Sequence, residues 1–224
     1  MVRKTVVVCL LASLACLVVA QSTTQPASSA PATSTAPAGW APAYSNDFSK
    51  DKLGSEWTVL EGATTQIAEG MLVIKGADAD AEVMLKEPKF PGSVKMEFDA
   101  SLSGETLSDI SVLLNGDPNG YANAYLLQFG GKANTKTQLI RAGEAVESTV
   151  KEKPLVKADQ KYHVVAINDG GKISLNIDGK DAFTYIDASP LKGDDHAMIG
   201  FYTYGDTLKI DNLKIYRKAG EAAK

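Results

Sequence analysis

Apolar and polar residues alternate along most of the chain after residue 40, the period of a strand that buries one face and wets the other. The clearest instance is Lys161–Lys180, KYHVVAINDGGKISLNIDGK, where Ile173, Leu175 and Ile177 alternate with Ser174, Asn176 and Asp178. Asp169-Gly170-Gly171 divides two such runs, and Asp178-Gly179 opens a third. Asp-Gly between alternating runs predicts a tight hairpin, because the turn residues need positive φ. By the same reading strands are expected at Tyr44–Phe48, Trp57–Leu60, Thr65–Ala68, Met71–Ile74, Glu82–Leu85, Ser93–Leu102 and Asp109–Asn115. They continue at Ala124–Phe129, Thr137–Arg141, Tyr162–Asn168, Ile173–Asp178, Ala182–Ile186, Ala197–Tyr204 and Leu208–Tyr216. Turn residues separate them, as at Glu69-Gly70, Gly130-Gly131 and Gly205-Asp206.

No segment sustains a period of 3.6, and Leu155–Lys161 offers one helical turn at most. So many strands without helices predict an all-β domain, an antiparallel two-sheet jelly-roll β-sandwich. Val94, Met96, Phe98, Ala100 and Leu102 make an inward stripe, which puts Lys95, Glu97 and Asp99 on the polar face. In the last strand Leu208 and Ile210 have one parity, Leu213 and Ile215 the other. A bulge at Asp211-Asn212 would restore the inward face.

The first 39 residues follow different rules. Arg3 and Lys4, the apolar run Val6–Val19 and the small residues ending at Ala20 make residues 1–20 a secretory signal peptide. That run is shorter than the roughly 20 residues of a membrane span, so an uncleaved anchor is the lesser alternative. Polar Ser13, three before Cys16, speaks against a lipoprotein. Residues 21–39 are almost wholly Ser, Thr, Ala and Pro, the composition of a disordered linker. The expected plan is a sandwich domain at 40–217 and a short tail at 218–224, secreted or held in the periplasm or cell envelope. After cleavage nothing would span a membrane.

Both cysteines, Cys9 and Cys16, fall in the signal segment, which excludes disulfides, thiolate metal sites and cysteine nucleophiles from the mature chain. Removing Arg3 and Lys4 leaves 21 basic residues against 27 acidic, a formal charge of −6. Without a basic patch, nucleic acid is not an expected partner. A neutral or basic ligand suits such a surface better than an anionic one.

KYHVVAINDGGKISLNIDGK resembles the paired strands of laminin-G-like and concanavalin A-like domains. His196–Arg217, HAMIGFYTYGDTLKIDNLKIYR, is similar to the closing strands of the 3-keto-disaccharide hydrolase-like jelly rolls. The opening is similar too: Asn46-Asp47-Phe48, then Trp57, then Glu69-Gly70-Met71-Leu72. The resemblance implies a concanavalin A-like fold for Tyr44–Arg217, and rests on strand and turn positions rather than on a catalytic motif. Gly130-Gly131-Lys132-Ala133-Asn134-Thr135, followed by Arg141, looks like segments of secreted polysaccharide-associated sandwiches.

Catalytic signatures fail on inspection. Met96-Glu97-Phe98-Asp99 is similar to the Glu-x-Asp-x-x-Glu strand of laminarinase-like enzymes, but Leu102 stands where the third acid belongs. The only histidines, His163 and His196, have no zinc-ligand spacing. His163, sharing a face with Val165 and Ile167, is expected to be half-buried and hydrogen-bonded. No serine sits in a Gly-x-Ser-x-Gly elbow. Calcium is the metal the sequence suits best, with Asp47 and Asp211 foremost and Asp117, Asn119, Asp178 and Asn212 as further oxygen donors. Otherwise no cofactor is expected.

Sugar binding needs aromatic faces for stacking and planar polar side chains for hydroxyls. Asp109, Asn115, Tyr121, Tyr125 and Gln128 are candidate ligand-binding residues, and so are Asn134, Arg141, His196, Tyr202 and Tyr204. The favoured expectation is a monomeric, non-catalytic module for a polysaccharide or oligosaccharide. A glycoside hydrolase of the 3-keto-disaccharide hydrolase-like group is the first alternative, and a structural or adhesive envelope domain the second.

Overall fold

The structure is a computed structural model and describes residues 36–60, 62–76, 79–104 and 107–221. The expected signal peptide and most of the expected linker lie outside the described residues. Fifteen strands, numbered β1 to β15 in chain order, form two antiparallel sheets among the described residues. The eight-stranded sheet runs β13 (Lys180–Ile186), β12 (Lys172–Ile177), β11 (Tyr162–Asp169), β6 (Val94–Ser103), β15 (Thr207–Lys218), β4 (Met71–Gly76), β3 (Ala63–Ala68). β1 (Trp40–Asn46) pairs with the second half of β15. The seven-stranded sheet runs β10 (Glu144–Ala145), β9 (Lys136–Arg141), β8 (Tyr125–Gly130), β7 (Ile110–Gly116), β14 (Met198–Tyr204), β5 (Asp80–Leu85), β2 (Trp57–Val59).

Every strand expected from the alternation is present. The extra one, β10, has two residues, too few to show a period. Leu155–Lys161 forms no helix; Asp159 turns there at φ 56°. The central hairpin closes as read. Asp169 pairs with Lys172 across Gly170 and Gly171, both at positive φ, and Asp178 (φ 51°) and Gly179 (φ 78°) make the next turn. In β15, Asp211 faces Asp99 and Lys214 faces Glu97, so Asn212 and Leu213 together oppose Phe98. This bulge, with Asn212 at φ 54°, leaves Leu208, Ile210, Leu213 and Ile215 all buried.

The core lies between the sheets. Phe98 meets Phe201 edge-on at 5.0 Å, and Trp57 stacks on Phe201 at 6.1 Å. The Tyr44 hydroxyl accepts the Trp57 indole N–H at 3.0 Å and donates to Glu56 at 3.0 Å, which anchors the opening strands. Glu97 and Asp99 face outward, bonded to Lys95 and Lys161 respectively. His163 shares their outer face and is more exposed than expected, since the inward stripe of β11 is Tyr162, Val164, Ala166 and Asn168. Its Nδ1 lies 3.0 Å from Asp99.

The seven-stranded sheet departs from simple alternation. β7 and β8 are buried at every position. Ile110, Val112, Leu114, Tyr125, Leu127 and Phe129 belong to the inter-sheet core. Met84, Leu113, Ala124, Leu126, Met198 and Tyr202 form a second apolar cluster, which by strand parity lies on the outer face. Gly200, paired with Met84, makes this face possible: a Cβ there would sit 2.2 Å from the Val83 carbonyl oxygen. Because that obstacle is backbone, Gly200→Ala is expected to lower unfolding free energy by about 1–3 kcal/mol, the usual range for overpacking. Urea denaturation measures this, and an unchanged midpoint would contradict it.

Candidate functional site

A cavity of about 930 Å³ opens over the outer face of the seven-stranded sheet. Leu126 and Gln128 of β8, Gln138 and Ile140 of β9 and Tyr202 of β14 line it from the sheet. Two walls come from loops. Lys132 and Ala133 follow Gly130-Gly131, while Ser103 ends β6 and Gly104, Leu107 and Ser108 come from the β6–β7 connection. Asp80 opens β5, and Tyr204 to Thr207 supply the β14–β15 turn.

A chain of buried hydrogen bonds crosses this face. Gln138 donates Nε2 to Gln128 Oε1 at 2.7 Å, and Gln128 donates Nε2 to Asp109 at 3.2 Å. Asp109 also accepts the hydroxyls of Ser108, at 2.6 Å, and Ser111. Burial pushes the Asp109 carboxyl up to about 6, against those hydrogen bonds. The Tyr202 hydroxyl donates to Asp80 at 2.6 Å. Burial first, then Asp80, holds that phenol well above its ordinary value. Tyr121 meets Tyr202 edge-on at 5.4 Å, and its phenol too is raised, chiefly by Asp80. Behind them Glu82 accepts the Tyr121 N–H at 2.8 Å, and burial pushes its carboxyl up to about 7. Burial also raises Asp206, against the Ser108 N–H.

The wall at Gly131–Asn134 is strained. Lys132, Ala133 and Asn134 all have φ between 52° and 56°, the left-handed region that side chains disfavour by roughly 1–3 kcal/mol each. Asn134 holds this turn by clasping both backbone groups of Val156, donating at 2.8 Å and accepting at 2.9 Å. Gly130 at φ 90° has no room for a side chain, since a Cβ would lie 2.7 Å from the Ser108 carbonyl oxygen.

The cavity gathers Asp109, Tyr121, Gln128, Tyr202 and Tyr204 from the expected residues. The other five stand elsewhere. Asn115, at φ 51° in a shifted register, leaves the outer face and bridges the sheets: its Nδ2 donates to the Gly92 carbonyl at 3.0 Å, and its Oδ1 accepts from Asn168 of β11 at 2.8 Å. Tyr125 points into the core and donates to Asp187 at 2.6 Å. Arg141 pairs with the same Asp187 at 2.6 Å, and Asn134 acts as the clasp. His196 ends a short turn next to the backbone that Asn115 ties down, and its Nδ1 is buried without a partner among the described residues.

For calcium, Asp47 caps Ser49, and Asp211 bonds Asn212 and lies 3.9 Å from Lys161. Asp117 accepts from Asn119 and Asn123, and Asp178 from the His163 N–H. Among the described residues no group of three or more His, Cys, Asp or Glu side chains could hold a metal ion. No helix among them is long and apolar enough to cross a membrane.

Sequence reasoning missed Asp80, Gln138, Ser108 and Asp206. Gln138 and Ile140 share a parity, as do Leu126 and Gln128, and these pairs were the available signal. Asp206 reads as ordinary turn chemistry.

By sequence the chain matches no family model and no curated protein. Solved structures share its fold. The carbohydrate binding module CBM66 from Bacillus subtilis has a TM-score of 0.58 at 16% identity, covering 72% of this chain and 96% of that one. The Emp47p carbohydrate recognition domain has a TM-score of 0.56 at 14% identity, covering 81% and 98%. A Bacillus subtilis protein of unknown function with a galectin-like fold has 0.56 at 15%, covering 79% and 97%. The fold is the antiparallel two-sheet jelly-roll β-sandwich. At these identities the likeness establishes the fold alone.

A carboxyl whose pKa rises on folding contributes stability that is full below its unfolded pKa and is lost as pH climbs through the folded one. For Glu82 that window runs from 4.5 to about 7. Carboxyls held low, such as Asp99 and Asp187, lose their contribution only at more acidic pH and do not offset it. Unfolding free energy should therefore fall by on the order of 2 kcal/mol as pH rises across the Glu82 window, and Glu82→Gln should flatten the slope. Urea titrations across this range test it; stability rising with pH would contradict it.

Proposed function

We propose that the chain is an exported, monomeric, non-catalytic module that binds carbohydrate in the cavity over the seven-stranded sheet. The observation that carries this reading is the edge-to-face Tyr121–Tyr202 pair standing beside the Gln138–Gln128–Asp109 chain. A sugar ring presents C–H faces to aromatic carbon and hydroxyls to planar amides and carboxylates, and this cavity offers both kinds of surface. CBM66 and the Emp47p domain are, by their own descriptions, carbohydrate-binding, which supports the same reading. Export rests on residues 1–20 and the spacing role on residues 21–39, and both belong to the proposal.

Glycoside hydrolysis is the second reading. What favours it is the raised pKa of Asp109 and Glu82, a state suited to proton donation. Against it, Asp109 already accepts from three side chains.

A glycan array probed with the purified full-length chain tests the proposal. Binding to a defined set of oligosaccharides is expected, with Tyr202→Ala and Tyr121→Ala each weakening it about tenfold or more, roughly 1.4 kcal/mol. A blank array would overturn it. Release of reducing ends from a bound glycan would move the conclusion to hydrolysis.

A further inference from the structure

We propose that the sugar held in this cavity carries a protonated amine, as a de-N-acetylated hexosamine does, and that Asp206 and Asp80 select it against the tyrosine faces. The inference rests on the carbohydrate reading and names the class of sugar.

Asp206 is 4% exposed, yet lines the cavity. Among the described residues its carboxylate has one partner, the Ser108 N–H on Oδ2. Its Oδ1 lies where a Cβ on Gly104 would be 2.1 Å away, so the bare glycine backbone packs against it. A carboxylate this buried ordinarily has several hydrogen bonds or a cation beside it. Satisfied polar groups elsewhere in the molecule make the contrast plain: Asp187, buried at 8% exposure, accepts from Tyr125, Arg141 and the Ser189 N–H.

The surroundings share its sign. Asp80 and Asp109 line the same space, and Glu82 lies just behind Tyr121. The cations are Lys75 and Lys132, both exposed on the walls where water screens them. Tyr121, Tyr202 and Tyr204 supply ring faces. An ammonium group is attracted by the face of an aromatic ring and donates charge-assisted hydrogen bonds to carboxylates, so one substituent would satisfy both features. A neutral sugar leaves the Asp206 carboxylate with the Ser108 N–H as its one partner among the described residues, and an acidic sugar is repelled.

Calorimetric titration of the full-length chain with tetrasaccharides of glucosamine, N-acetylglucosamine and glucose tests this. The glucosamine oligomer should bind about tenfold or more tightly than the other two, with the preference shrinking in high salt. Lowering the pH from about 7.5 to about 5 protonates Asp109 and Glu82, whose carboxyls burial raises to about 6 and about 7, and should shrink it as well. Asp206→Asn and Asp80→Asn should each narrow the preference to about threefold or less, with thermal melts verifying the fold; Asp80, the less buried, is the variant that tolerates change. Equal affinity for all three, or a preference for the acetylated form, overturns the amine and leaves the carbohydrate reading standing. Failure of the glucosamine oligomer beside a positive neutral array does the same. No binding to any glycan overturns both.

Discussion

A sheet that is apolar on both faces cannot end at water, and the seven-stranded sheet is such a sheet. Its inner face closes on β6, β11 and β15 around Phe98 and Phe201. Its outer face carries Met84, Leu113, Leu126, Met198 and Tyr202, all buried. Each such side chain taken from water stabilises the fold by about 1.5–3 kcal/mol. The outer cluster must therefore be roofed, and the β6–β7 loop, the strained Gly131–Asn134 turn and the Tyr121 turn provide walls around it. The cavity is what remains between those walls. The eight-stranded sheet obeys the opposite rule. Its outer face is wet, and Lys95, Glu97, Asp99, Lys161 and His163 satisfy one another there.

Buried polar groups divide the molecule the same way. Asn115 and Asn168 tie one sheet to the other, and the Asn168 Oδ1 also accepts the Gly171 N–H at the hairpin turn. Tyr125, Asp187 and Arg141 lock the loop after β13. These groups are paired on every side that matters, which marks them as structure. Asp109, Glu82 and Asp206 instead keep raised pKa values because burial outweighs their partners. That imbalance is tolerable beside a cavity able to admit a ligand or water, and it separates the cavity end of the sheet from its scaffold.

The sandwich could be read from the chain because a period of two survives wherever one face meets water. β6, β11, β12 and the bulged β15 announced themselves, bulge included, since a reversed parity at Asp211-Asn212 has few other meanings. The site was less legible for the same reason. β7 and β8 lack alternation, so nothing separates core-facing Tyr125 from cavity-facing Leu126 and Gln128 until the partner sheet is known. Asn115 shares the parity of Asp109 and Ser111, but a left-handed backbone and a register shift turn it aside, and local sequence carries no mark of that. Asp206 became a site residue only when the β14–β15 turn met the β6–β7 loop, more than 90 residues apart in the chain.

The central claim is that the ligand sits on the outer face of the seven-stranded sheet. Backbone and tyrosine chemical-shift mapping of the labelled chain, during titration with an array-positive oligosaccharide, tests this most directly. The expected result is perturbation concentrated at Tyr121, Gln128, Gln138 and Tyr202–Asp206, with β6 and β11 silent. Perturbation centred instead on Glu97, Asp99 and His163, across the sandwich, would contradict it.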